Sequence, residues 1–192
     1  MTWDKIFNKF AFKRMYRIVF AWLDWRTSKS ESVRKFLMNN IGIAQQLEAD
    51  GKLPRFTGTR DEIVLEILQW VHSNIKYVKD SFVWKVPDKW QFINETLDLG
   101  SGDCEDGAVL IYCLAILNGI NPLQIKLVTG SVIGGGHCFV EYAPDECLLY
   151  NKKDPFQWFT IDWCYWYDDK QYQDRILKSD NYINDWWSIS II

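Results

Sequence analysis

The chain has 192 residues, 48% of them hydrophobic and 24% charged, with 11 Gly and 5 Pro. That composition supplies a buried core and excludes a disordered, collagen-like or repeat-built chain. A formal net charge of −3 creates no field that would draw in nucleic acid, so no nucleic-acid partner is predicted.

Basic side chains gather at the start. Residues 1–50 carry nine (Lys5, Lys9, Lys13, Arg14, Arg17, Arg26, Lys29, Arg34, Lys35) against five acidic ones. Residues 1–38 read as one or two helices, and residues 1–58 as a helical, basic extension ahead of a catalytic domain at 59–192. The basic face is read as a solvated helix surface that also permits contact with an acidic partner. The apolar stretch from Ile18 to Leu23 is too short for a signal-peptide core and has no small-residue cleavage site behind it. Nothing reaches the length of a membrane span. A cytoplasmic location is expected, or a virion-associated one if the chain is phage-encoded. Five cysteines without paired or CxxC spacing make neither a disulfide framework nor a zinc site, which fits a reducing compartment.

Gly51, Pro54 and Gly58 mark a connector. Thr59-Arg60-Asp61-Glu62 then has the capping-box form, and Val64, Ile67, Leu68, Val71 and Ile75 recur at helical spacing, predicting a helix over 60–77. Residues 79–103 read as a loop with a short strand at Phe82 to Val86. From Cys104 to Leu117 the chain is apolar almost all round, the pattern of a buried helix, which Gly119 and Pro122 end. Three strands are predicted, at Gln124 to Val132, His137 to Tyr142 and Trp158 to Trp163. The 11 Trp belong to cores or interfaces, so a Trp-rich surface joins the basic segment as a place for a protein partner.

A thiol becomes a nucleophile when its thiolate is stabilised, and a helix start does this through unpaired amides and the macrodipole. Cys104 opens the buried helix, after Gly100 and Gly102, which allow close backbone approach and leave the Cys104 amide free as an oxyanion donor. Cys113, nine residues on, faces the other side and reads as a core residue. The chain has two His. His72 lies beside an apolar helical stripe and reads as a packed boundary residue. His137 opens a strand after Gly134-Gly135-Gly136 and reads as a general base. Asp162, between Ile161 and Trp163, is an acid where a strand pattern wants an apolar residue, and reads as the group that orients the imidazole.

In this order, Cys104, His137 and Asp162 resemble the transglutaminase-like superfamily of papain-type thiol enzymes. The match is closer to its bacterial branch, the transglutaminase-like cysteine proteinases. It rests on Trp90, Glu95-Thr96-Leu97 and Gly100-Ser101-Gly102-Asp103-Cys104-Glu105-Asp106, with Trp70-Val71 and Asn74-Ile75-Lys76-Tyr77 before them, and covers residues 60–166. The resemblance implies an α+β, papain-like core with the nucleophile's helix packed on an antiparallel sheet. It implies a cysteine peptidase or amidase acting on a protein or peptide through an acyl-enzyme on Cys104. It also implies calcium held by Asp103 and Glu105, although the chemistry itself requires no cofactor. Carboxylates are what calcium prefers, and like charge beside a thiolate otherwise raises the thiol pKa. Trp90 and Gln91 are the side-chain candidates for the oxyanion hole. Two other readings stay open: acyl transfer to an amine, as in a transglutaminase, and a non-catalytic binding protein that keeps the fold.

Overall fold

A computed structural model describes residues 31–144, 158–165 and 182–191. The chain divides into two units, Met1–Phe36 and Leu37–Ile192. Of the smaller, residues 31–36 are described, as helix, with an exposed Glu31–Lys35 ion pair of 3.1 Å. The rest of the predicted basic extension up to residue 30, and the aromatic residues Trp166 and Tyr167, lie outside the described residues.

In the larger unit, α1 (residues 37–49) buries Leu37, Ile41 and Ala44. Its buried Asn40 accepts the Ile93 amide at 2.8 Å. Helix α2 (Arg60–Asn74) starts at the predicted capping box: Glu62 donates its amide to Thr59 Oγ1 at 3.3 Å, and Glu62 Oε2 accepts the Thr59 amide at 2.8 Å. Two orphan donors are satisfied reciprocally, and the stripe Ile63, Val64, Ile67, Leu68 and Val71 is buried. The helix ends earlier than the predicted 77, because Lys76–Tyr77 forms strand β1.

The predicted strand at Phe82 to Val86 is absent. Asp80–Val83 is a short helix, α3, and Lys85 follows it with φ of 61°. Alternation of Phe82, Trp84 and Val86 mimicked a strand. The segment is held instead by the buried Asp80 carboxylate, which accepts the Lys89 amide, and by Lys89 Nζ over the Trp84 ring at 3.1 Å. Helix α4 (Ile93–Leu99) also falls in the region read as loop. It stops at Gly100, whose φ of 59° is the left-handed conformation a helix end favours. Strand β2 (Ser101–Gly102) then pairs in parallel with β1 and leads directly into α5 (Cys104–Leu117).

Helix α5 is the buried centre, with Glu105 to Ala115 all removed from solvent. It packs against β3 (Ile125–Val132) and β4 (Gly135–Tyr142), part of a four-stranded sheet in the order β5-β4-β3-β6, all antiparallel. Strand β5 is Phe159–Ile161 and β6 is Tyr182–Ile189. The predicted α+β core, with the helix that opens at Cys104 packed on an antiparallel sheet, is thus what the chain forms. Among the described residues no helix is long and apolar enough to cross a membrane.

Strand β6 was not expected from the sequence. Its run Tyr-Ile-Asn-Asp-Trp-Trp-Ser-Ile lacks clean alternation because register shifts interrupt its pairing with β3 between Thr129 and Gly130 and between Ser131 and Val132. At the first shift a Cβ on Gly130 would lie 2.4 Å from the Asn184 carbonyl oxygen, so only glycine admits this approach.

Candidate active site

Three elements deliver the predicted residues. Cys104 is the first residue of α5, His137 lies on β4, and Asp162 directly follows β5. Pairing of Val140 with Ile161 places β5 beside β4 and thus brings Asp162 back toward His137. The two side chains, both buried, meet at 2.6 Å between His137 Nε2 and Asp162 Oδ2. A carboxylate accepts, so the ring proton belongs on Nε2 and leaves Nδ1 as the nitrogen able to take a proton.

The Asp162 carboxylate is pinned on every side. Oδ2 also accepts the Tyr182 hydroxyl at 2.5 Å, and Oδ1 accepts the Cys164 amide at 3.0 Å. Tyr165 and Phe139 confine the imidazole, with ring centroids 5.4 and 6.0 Å from it.

The backbone amide of Cys138, the neighbour of His137, acts to lower the Cys104 thiol pKa. The thiol's own proton goes to Glu105 Oε2 at 3.2 Å. A direct Cys104–His137 hydrogen bond is not among the contacts of the described residues. Burial first, then the negative charge of Glu105, pushes the Cys104 thiol well above the ordinary thiol range, so the thiol is protonated in this arrangement. Behind it, the Trp163 indole donates to the Cys104 carbonyl at 3.2 Å. That ring lies so close to α5 that a Cβ on Gly107 would stand 2.2 Å from it.

No family model and no curated protein matches the chain. Among solved structures the chain is similar to LapG from Legionella pneumophila. The calcium-bound LapG structure is 16% identical with a TM-score of 0.46, over 78% of this chain and 83% of that one. The EGTA-treated structure is 16% identical with a TM-score of 0.45, over 56% and 54%. A further LapG structure is 18% identical with a TM-score of 0.42, over 52% and 50%. In the latter two matches the chain spans about half the length of LapG.

The two oxyanion candidates are differently placed. Gln91 is buried, and both its backbone amide and Nε2 donate to Asp106, at 2.8 and 2.7 Å. Asp106 also accepts the Asp103 amide at 3.1 Å, which fastens the segment before α4 to the first turn of α5. Trp90 stacks on Trp187 with ring centroids 6.2 Å apart, joining the same segment to β6.

The acidic collar is larger than the sequence suggested. Ligand atoms of Asp80, Asp88 and Glu105 lie within 4.8 Å of one another, as do those of Asp80, Asp103 and Asp106, and of Asp103, Cys104 and Glu105. Asp80 is 1% exposed and Glu105 5%. Asp80 Oδ1, Asp103 Oδ1 and Glu105 Oε1 are buried without a hydrogen-bond partner. Crowding of this kind favours neutral forms. Burial first, then hydrogen bonding and charge from Asp103, raises Glu105 well above the carboxylate range, and burial pushes Asp106 up to about 7.

Four contributors escaped sequence reasoning. Cys164 is two residues past Asp162, where an amide commonly returns to an Asp side chain, so its backbone role had a readable signal. Asp80, Trp163 and Tyr182 had none, because their roles depend on chain segments brought together by the sheet. A pocket of about 370 Å³ opens beside the imidazole, lined by Tyr77, Lys79, Gly134 to Gly136, His137, Cys164 and Tyr165.

Proposed function

We propose that this chain is a cysteine peptidase or amidase in which His137, oriented by Asp162, takes the proton of Cys104. The observation that carries the reading is the buried 2.6 Å His137–Asp162 pair, on the strand whose next amide acts to lower the Cys104 thiol pKa. Once the thiol turns from Glu105 to Nδ1, thiolate attack on an amide carbonyl gives an acyl-enzyme and a protonated imidazole. The imidazolium then protonates the leaving amine, and water releases the acyl group with His137 again as base. The Cys104 amide at the start of α5 and the second amide proton of Gln91 are the proposed oxyanion donors. The substrate is a protein or peptide, and its chain reaches His137 through the pocket beside the glycine loop.

The collar fits a hard divalent cation, because it offers unpartnered buried carboxylate oxygens close together. Asp80, Asp103 and Glu105 would hold calcium. Bound there, it would supply positive charge beside the thiolate and keep Glu105 ionised.

Iodoacetamide labelling of the full chain, read by peptide mass spectrometry with calcium and with chelator, tests the thiol. Cys104 should label at least about tenfold faster than Cys113, Cys138 and Cys164, and His137→Ala should remove that advantage. Casein with a dansylated amine tests the reaction: new peptide N-termini that depend on Cys104 support hydrolysis, and dansyl incorporation without cleavage supports acyl transfer. Equal labelling of Cys104, Cys113, Cys138 and Cys164, with no Cys104-dependent product, overturns the enzyme reading.

A further inference from the structure

We propose that Cys164, His137 and Asp162 form a second metal site, selective for zinc, whose occupation switches the Cys104 thiol off. The switching part rests on His137 being the base for Cys104; the metal site does not.

The Cys164 sulfur, a ring nitrogen of His137 and a carboxylate oxygen of Asp162 lie within 4.8 Å of one another. Tetrahedral zinc, with Zn–S of about 2.3 Å and Zn–N and Zn–O of about 2.0–2.2 Å, holds its donor atoms roughly 3.5 Å apart. The Cys164 sulfur therefore needs to approach the other two donors by at most about 1.3 Å, while the His137–Asp162 contact opens by about 0.9 Å from 2.6 Å. A thiolate, an imidazole and one carboxylate are a zinc set, unlike the carboxylate oxygens of the acidic collar. Three protein ligands leave one open position. His137 and Cys164 both line the pocket of about 370 Å³, so water or an incoming donor can complete the shell.

The surroundings are already those of an oriented ligand shell. Asp162 is held by the Tyr182 hydroxyl at 2.5 Å and the Cys164 amide at 3.0 Å, contacts that outlast a change of partner on the carboxylate. Cys164 contributes only its backbone to the triad, so its thiol is not used by the proposed reaction.

The protons balance simply. Zinc takes Cys164 as thiolate, and the thiol proton leaves to solvent. At His137 the ring's one proton moves from Nε2 to Nδ1, and the ion takes the Nε2 lone pair so exposed, leaving the ring neutral. That nitrogen is the one required to accept the Cys104 proton, so a zinc-loaded ring is no longer a base toward Cys104. The metal need not touch the nucleophile to silence it.

Cobalt(II) titration of the full chain reads the site directly, since a thiolate ligand gives a near-ultraviolet charge-transfer band and a tetrahedral shell gives intense visible bands. Wild type and Cys104→Ser should both show the bands at one equivalent, and zinc should bleach them. Cys164→Ser should lose the charge-transfer band, and His137→Ala should weaken zinc at least about tenfold, with circular dichroism checking that each variant is folded. Should His137→Ala not fold, the Cys164→Ser and Cys104→Ser pair decides alone. A band that survives in Cys164→Ser, that vanishes in Cys104→Ser, or that never forms overturns the site. For the switch, zinc should slow iodoacetamide labelling of Cys104 in wild type and leave it unchanged in Cys164→Ser; equal slowing in both overturns it. Cobalt bands that behave as expected in a chain with no thiol reactivity keep the metal site and remove the catalytic assignment.

Discussion

Replacing Asp162 by Asn removes a charge while keeping the shape, and the three hydrogen bonds on this carboxylate make the result calculable. His137 Nε2, the Tyr182 hydroxyl and the Cys164 amide all donate to it, at 2.6, 2.5 and 3.0 Å. An amide presents one oxygen and one NH2. With its NH2 toward His137, the ring must offer a lone pair there, which moves its proton to Nδ1, and the Tyr182 hydroxyl loses its acceptor. With its NH2 toward Cys164, two N–H groups face each other. Either orientation forfeits at least one hydrogen bond to a charged acceptor, worth about 1.5–3 kcal/mol. At about 2–4 °C per kcal/mol for a chain of this size, the melting temperature should fall by about 3–12 °C. The wrong tautomer costs more in rate: a loss on the order of 10⁴ is the precedent for an acid that orients a catalytic imidazole. The assay is iodoacetamide labelling of Cys104, with product formation beside it, on protein that calorimetry shows to be folded. A folded Asp162→Asn with wild-type labelling and turnover refutes the assignment of Asp162 as orienting acid.

Calcium should raise the melting temperature by roughly 5–10 °C at a hundredfold excess over Kd, the thermal equivalent of about 2.7 kcal/mol of linked binding, and Asp80→Asn should at least halve that rise. No shift with millimolar calcium returns Asp103 and Glu105 to the role of helix-start carboxylates. Gly107→Ala forces a Cβ into the Trp163 ring at 2.2 Å and should cost about 1–3 kcal/mol by urea unfolding; an unchanged midpoint would mean the ring has room to move. Glu95, whose pKa is lowered from 4.5 first by the Phe92 amide and then by Lys89, stabilises the fold above its unfolded pKa. That contribution disappears as pH falls through the depressed folded value. Glu95→Gln should therefore destabilise the chain at pH 7 and match wild type near pH 2, when urea midpoints are compared.

How legible the site was depends on whether a residue's role is local. The capping box at Thr59 and Glu62, the buried helix after Cys104 and the His137 strand all follow from periodicity and caps, which act over a few residues. Asp162 was found because an acid interrupts an apolar strand pattern, and buried charge is costly enough to be conspicuous. Phe82 to Val86 misled because alternation reports which faces are apolar and not whether neighbouring strands exist to pair. Strand β6 was missed for the converse reason: its register shifts break the alternation, yet β3 supplies the hydrogen bonds. Tyr182, which β6 carries to Asp162, became visible only with that pairing. Asp80 was equally hidden, an ordinary loop acid until the fold placed it against Glu105.

Residue 163 explains why Asp162 and Cys104 keep their relation although they stand 58 positions apart in the chain. The Trp163 indole donates to the Cys104 carbonyl, its ring fills the space that Gly107 leaves on α5, and its own carbonyl meets His72 Nδ1 at 3.2 Å. Helices α2 and α5 thereby grip the residue next to Asp162. His72, read from sequence as a packed boundary residue, is one jaw of that grip. The Tyr77 ring, 5.8 Å away, lies against the same indole. Such a lock fixes Asp162 and the start of α5 relative to each other through contacts that do not involve the Cys104 side chain. The one torsion that must change for the proposed chemistry is then that of the thiol, from Glu105 toward the imidazole. That is the torsion a cation in the collar would bias, since it would engage Glu105 and withdraw the thiol's present acceptor.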